Sequence, residues 1–185
     1  MLFASFATLL ALSGVSSAAS FSKRDTVTTT LFGYGSGTNG APVFYADGLA
    51  YIGQTGFSTS NGTQTNITFT ADTTSTTTAW PIAANSSTVT FNETLNFYII
   101  PTNGSFAQAG FSTDANLPSG AVNTGFTWFG TAVAYAQSDS NYELMFWAAN
   151  TTEDGIYGLY WNQAGTPLDG AFPVTLKVSP PTETT

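Results

Sequence analysis

Apolar and polar residues alternate in short runs along this chain, and Gly, Asn, Pro and Asp punctuate the runs. A period of two sends successive side chains to opposite faces of a strand. Such runs cover residues 27–32, 43–46, 49–52, 65–71, 77–82, 88–91, 95–100, 106–111, 125–129, 132–136, 142–148, 156–161 and 174–178. Asp47-Gly48 joins two of them and marks a hairpin, because both central turn positions need positive φ. Pro81 interrupts residues 77–82 and places that strand at a sheet edge. No stretch keeps a 3.6-residue apolar period between capping residues. About twelve short strands with little else predict an all-β antiparallel β-sandwich, jelly-roll-like, in one domain.

The ends carry a different pattern. Residues 1–19 hold no charged side chain. Their apolar core, with Leu9, Leu10, Leu12 and Val15, ends in Ser16-Ser17-Ala18-Ala19. This predicts a secretory signal peptide, too short to span a bilayer of about 30 Å. Residues 20–24 form a short pro-segment ending in Lys23-Arg24, which resembles the dibasic site cut by Golgi subtilisin-like processing proteases. Cleavage there starts the mature protein at Asp25. The sandwich domain then occupies residues 25–179, and the Pro/Thr-rich residues 180–185 form a disordered tail. No hydrophobic tail marks a GPI anchor. The expectation is a secreted, extracellular protein, released or held non-covalently in a wall, with no membrane insertion.

Composition narrows the chemistry. The chain holds 3 Lys+Arg against 11 Asp+Glu, a formal net charge of −8. Lys177 is the single basic residue after the dibasic site. Nucleic acid is excluded as a partner, since its binding rests on counterion release by Lys and Arg. The chain has no Cys and no His, which removes disulfides, imidazole bases and most zinc sites. No cofactor or metal site is expected. Asp139 with Asn141, and Glu153 with Asp154, lack calcium-loop spacing and read as turn residues. Gly33-Tyr34-Gly35-Ser36-Gly37 lacks the helix and Lys of a phosphate loop and reads as a flexible loop. Six sequons, at Asn61, Asn66, Asn85, Asn92, Asn103 and Asn150, predict N-glycosylation at exposed positions, concentrated on one side of the domain.

Two features carry candidate sugar chemistry. The 4 Trp and 8 Tyr either fill a cysteine-free core or line a face on which sugar rings stack. Trp147, Trp161 and Tyr157 are the stacking candidates, with Tyr157, Leu159 and Trp161 on one strand face. The string Tyr142-Glu143-Leu144-Met145-Phe146-Trp147 resembles the nucleophile strand of compact jelly-roll endoglucanases and xyloglucanases. Alternation there puts Glu143, Met145 and Trp147 on one face. The resemblance makes Glu143 a candidate nucleophile, but a retaining glycosidase needs a second carboxyl group about 5 Å away. No later Asp or Glu has a recognisable context, and no catalytic set is complete.

The whole plan resembles small secreted fungal proteins: signal, dibasic site, then a compact domain with the hairpin Phe44-Tyr45-Ala46-Asp47-Gly48-Leu49-Ala50-Tyr51. That resemblance implies a non-catalytic glycoprotein of the cell wall or apoplast, or an effector or elicitor recognised by a plant host. The implied partner is a wall polysaccharide or a host extracellular or membrane receptor. A lectin-like carbohydrate-binding module is the first alternative, and a glycoside hydrolase using Glu143 the second.

Overall fold

A computed structural model describes residues 26–56, 62–138 and 140–182. The signal peptide, Lys23, Arg24, Asn61 and Asp139 lie outside the described residues. The first strands are β1 (Thr26–Thr29), β2 (Phe32–Gly35), β3 (Ala41–Ala46), β4 (Leu49–Ile52) and β5 (Gln64–Asp72). Next come β6 (Pro81–Ala84), β7 (Leu95–Tyr98), β8 (Phe106–Gln108), β9 (Gly110–Ser112) and β10 (Phe126–Phe129). The last are β11 (Ala132–Ser138), β12 (Asn141–Glu143), β13 (Phe146–Asn150), β14 (Tyr157–Asn162) and β15 (Ala171–Lys177). Among the described residues a single 3-10 turn, Asp114–Asn116, interrupts the loop after β9.

The all-β expectation holds, but the jelly-roll sandwich does not. Ten strands pair in a closed antiparallel circuit, β3-β5-β6-β7-β9-β4-β14-β13-β15-β2 and back to β3, and five further strands attach to it. The hairpin β3–β4 is what closes it. One edge of β3 carries β2 at Ala41–Pro42 and β5 at Phe44–Ala46. The outer edge of β4 carries β9 at Leu49 and β14 at Tyr51–Ile52. Strands that would have been the open edges of two sheets are thus joined through this hairpin, which removes the edges. Asp47 (φ 49) and Gly48 (φ 86) make the expected turn.

Local punctuation split several expected strands. Residues 106–111 break at Ala109 between β8 and β9, and residues 88–91 are not a strand. Pro81 opens β6 inside the circuit, between β5 and β7, rather than on an edge. A strand's first residue tolerates a missing N–H.

Aromatic rings fill the interior. Phe97 is fully buried, and its ring centroid lies 4.9 Å from Phe126, 5.7 Å from Phe69 and 5.8 Å from Phe111. Phe146 stands edge-on to Trp161 at 4.9 Å. Such offset and edge geometries add about 0.5–1.5 kcal/mol per pair to area burial. This network does the work that disulfides do in many small extracellular domains.

Burial also raises the phenol pKa of Tyr45, Tyr98, Tyr135 and Tyr160. Folded tyrosines therefore stay neutral where unfolded ones, at about 10, have ionised. The unfolded chain then binds fewer protons, so stability is complete below about pH 10 and falls as pH rises through the folded values. Denaturant midpoints at pH 8 and pH 11 check this, and the pH 11 midpoint is expected to be the lower. Asp72 works in the opposite direction: hydrogen bonds from the Thr74 N–H and hydroxyl hold its carboxyl below the usual range. What little this exposed group contributes is lost only as pH falls through that lowered value.

Candidate functional site

The Glu143 strand divides where a glycosidase nucleophile strand would run on. β12 pairs only with β11, and β13 pairs with β14 and β15. Leu144 and Met145 carry the chain between the two pairings and shift the alternation by one. Glu143 sits opposite Tyr135 in register, on the face that also bears the buried Phe126 and Val133. Its Oε2 is closed off from solvent and has no hydrogen-bond partner. Phe146 is buried and Trp147 turns outward. The expected single face of Glu143, Met145 and Trp147 is therefore absent, and Glu143 and Trp147 do not line one cleft. A retaining nucleophile must reach the anomeric carbon, and this carboxylate points into the protein.

The stacking candidates also separate. Trp161 is 0% exposed, and its Nε1 donates to Gln163 Oε1 at 2.8 Å. It is a core ring and offers no face to a ligand. Tyr157 is half-buried, edge-on to Phe172 at 5.4 Å, with its hydroxyl directed at the Gly37 carbonyl at 3.4 Å. Only Trp147 stands on the outer surface of the barrel.

Around Trp147 the register assembles a shelf. Trp147 pairs with Tyr160 on one side and Pro173 on the other, and Tyr160 pairs with Gln108. Gln108, Tyr160, Trp147 and Pro173 thus form one outward row across β8, β14, β13 and β15, three inter-strand steps or about 14 Å long. Phe106, on the same face of β8, stacks on Tyr160 at 4.7 Å and meets Trp147 edge-on at 6.3 Å. The neighbouring row starts at the Tyr51 ring of β4 and is low beyond it, at Gly158, Ala149 and Ala171. A Cβ on Gly158 would lie 2.7 Å from Tyr160 Cε2 and 3.2 Å from Gln108 Nε2, so the missing side chain lets both lean over the sheet. Burial, then the neighbouring Tyr51 phenol, raises the Tyr160 pKa. Its hydroxyl has no hydrogen-bond partner among the described residues. Gln108 Nε2 donates to the Ala50 carbonyl at 3.1 Å, which fixes the amide on the shelf's polar side.

The sequence reading missed Tyr51, Phe106 and Tyr160. Tyr160 was within reach: alternation that sends Leu159 and Trp161 inward must send Tyr160 out.

Three other features fall elsewhere. Asn66, Asn85, Asn92, Asn103 and Asn150 are all exposed, as sequons require. Asn66 and Asn85 lie side by side on β5 and the end of β6, with Asn85 N donating to the Asn66 carbonyl at 2.7 Å. A recess of about 650 Å³ beside β6 is lined by Phe91, Val89 and the sequon residue Asn92, so a glycan there would crowd it. Phe129, Tyr142 and Leu144 form a second exposed apolar patch, 57%, 42% and 44% exposed, on the outer side of β10 to β12. Among the described residues no three His, Cys, Asp or Glu gather closely enough to hold a metal ion, and no helix is long and apolar enough to cross a membrane. No protein-family model, no curated protein and no solved structure matches the chain.

Proposed function

We propose that this is a secreted, non-catalytic glycoprotein of the cell wall or apoplast that holds polysaccharide on the shelf formed by Tyr51, Phe106, Trp147 and Tyr160. The observation that carries the reading is the continuous outward row of Gln108, Tyr160, Trp147 and Pro173, in register across four strands and flanked by Phe106. Sugar rings present C–H faces that pack on flat aromatic surfaces, while tyrosine hydroxyls and an amide supply the polar contacts. Rigid strands hold the rings, so little ordering entropy opposes binding. The inward-turned Glu143 favours the non-catalytic form of the reading over a hydrolase.

The test is retention of the purified protein on insoluble wall polysaccharides, beside a reducing-sugar release assay. The wild type is expected to sediment with polymer and release no sugar. The double variant Trp147→Ala/Tyr160→Ala is expected to lose retention at least tenfold, and Phe129→Ala, which removes a ring from the other patch, to retain it. Sugar release that Glu143→Gln abolishes would overturn the proposal.

A further inference from the structure

We infer that the shelf takes an uncharged polysaccharide, lying across β13 and β15 with Ala149 and Ala171 beneath it and Trp147 and Pro173 alongside. This rests on the polysaccharide-binding reading above and adds the ligand's charge and its track.

The charge follows from what surrounds the shelf. Tyr51, Phe106, Gln108, Trp147, Ala149, Gly158, Tyr160, Ala171 and Pro173 carry no charge. Uronate polymers are recognised through Arg and Lys, by charge-assisted hydrogen bonds to carboxylate. Lys177 is the single basic residue among the described residues. It lies four residues along β15 from Pro173, about 13 Å, and is held over the Tyr34 ring at 5.1 Å. The charge nearest the shelf in the chain is the exposed Asp169, two residues before Ala171, followed by the exposed Glu153 and Asp154 in the loop joining β13 to β14. They repel a polyanion. No carboxylate stands on the shelf itself to pair with a polycation. A neutral, hydroxyl-rich chain meets no uncompensated charge, and it offers a hydrogen bond to the Tyr160 hydroxyl, which has no partner among the described residues.

The track follows from side-chain height. Ala149 and Ala171 are opposite each other in register and project only a methyl group. Trp147 and Pro173, the next outward pair, are likewise opposite each other. A low strip beside a raised apolar one suits an extended chain with its ring faces turned to Trp147.

The experiment measures retention of the full secreted protein on neutral β-glucan and chitin, on polygalacturonate and on chitosan, at low and high salt. Expected are retention on a neutral polymer that salt leaves unchanged, and none on polygalacturonate. Ala149→Phe is expected to weaken retention at least tenfold. Phe129→Ala, on the other patch, is expected to bind as wild type, and near-UV circular dichroism confirms that both variants are folded. Retention only on polygalacturonate or chitosan, lost at high salt and lost in Trp147→Ala/Tyr160→Ala, would overturn the uncharged ligand and leave the shelf standing. Neutral-polymer retention that Ala149→Phe leaves intact would overturn the track. Neutral-polymer retention that survives Trp147→Ala/Tyr160→Ala would overturn the shelf itself.

Discussion

Phe97→Ala is expected to destabilise the domain by about 3–5 kcal/mol, the range for removing a large buried ring. For a chain of this size that lowers the thermal midpoint by roughly 10 °C. Phe97 lies at the crossing point of the interior. Its ring touches Phe69 from β5, Phe111 from β9, Phe126 from β10 and Phe146 from β13. These strands come from distant parts of the chain, so no single backbone shift closes the hole that alanine leaves. The transfer and cavity contributions therefore both apply in full. Phe97→Leu keeps most of the volume and is expected to cost about 1–2 kcal/mol. Denaturant unfolding of the two variants and wild type is the measurement. A Phe97→Ala cost no greater than that of Phe97→Leu would mean that the ring is not the joint described here.

The same interior explains how far the sequence could be read. Alternation identifies which residues of a strand face in and which face out. It does so here for β5, where Thr65, Ile67, Phe69 and Ala71 are buried in turn, and for the β3–β4 hairpin. Alternation is blind to partners. A sandwich and a barrel share the same in-out code, so the sequence favoured the commoner arrangement of many short strands. The closure depends on β3 and β4 each pairing with two strands along one edge, a matter of length and placement that no local pattern records.

The site was legible to a similar depth. Trp147 was named from its neighbourhood and does stand outside. Trp161 was named for its chemistry, yet the face it shares with Leu159 is the core face. Aromatic type alone does not separate a stacking ring from a core ring; only the parity of apolar neighbours does. The Glu143 string failed for another reason. Six residues with strand-like composition were read as one strand, whereas the chain changes partners at Leu144–Met145 and shifts the alternation. The exposed Tyr142 and Leu144 leave no signature of such a change, because alternation on a continuous strand also exposes them together.

Gly110→Ala is expected to cost about 3 kcal/mol, the upper part of the overpacking range, although it adds one methyl group. Gly110 is where β9 meets β4, opposite Leu49, and where β9 also meets β7, opposite Tyr98. A Cβ there would lie 2.6 Å from the Gly48 carbonyl oxygen, 2.6 Å from Tyr98 Oη and 2.8 Å from Tyr98 Cζ. The Tyr98 ring is buried and has little room to turn. The Gly48 carbonyl is fixed as well, since it accepts the Phe111 N–H at 2.8 Å and belongs to the turn that carries the closing hairpin. The strain therefore falls on the Leu49–Gly110 pairing through which this side of the circuit closes. Gly130→Ala is the comparison. Nothing lies within 4 Å of its Cβ, and its φ of +63 makes the substitution a purely conformational change of about 1 kcal/mol. If urea unfolding gives the two variants equal costs, the close approach at Gly110 is not a fixed part of the barrel. A larger cost for Gly110→Ala would show that a single absent side chain sets how tightly β9 can dock on β4, and hence whether the barrel closes.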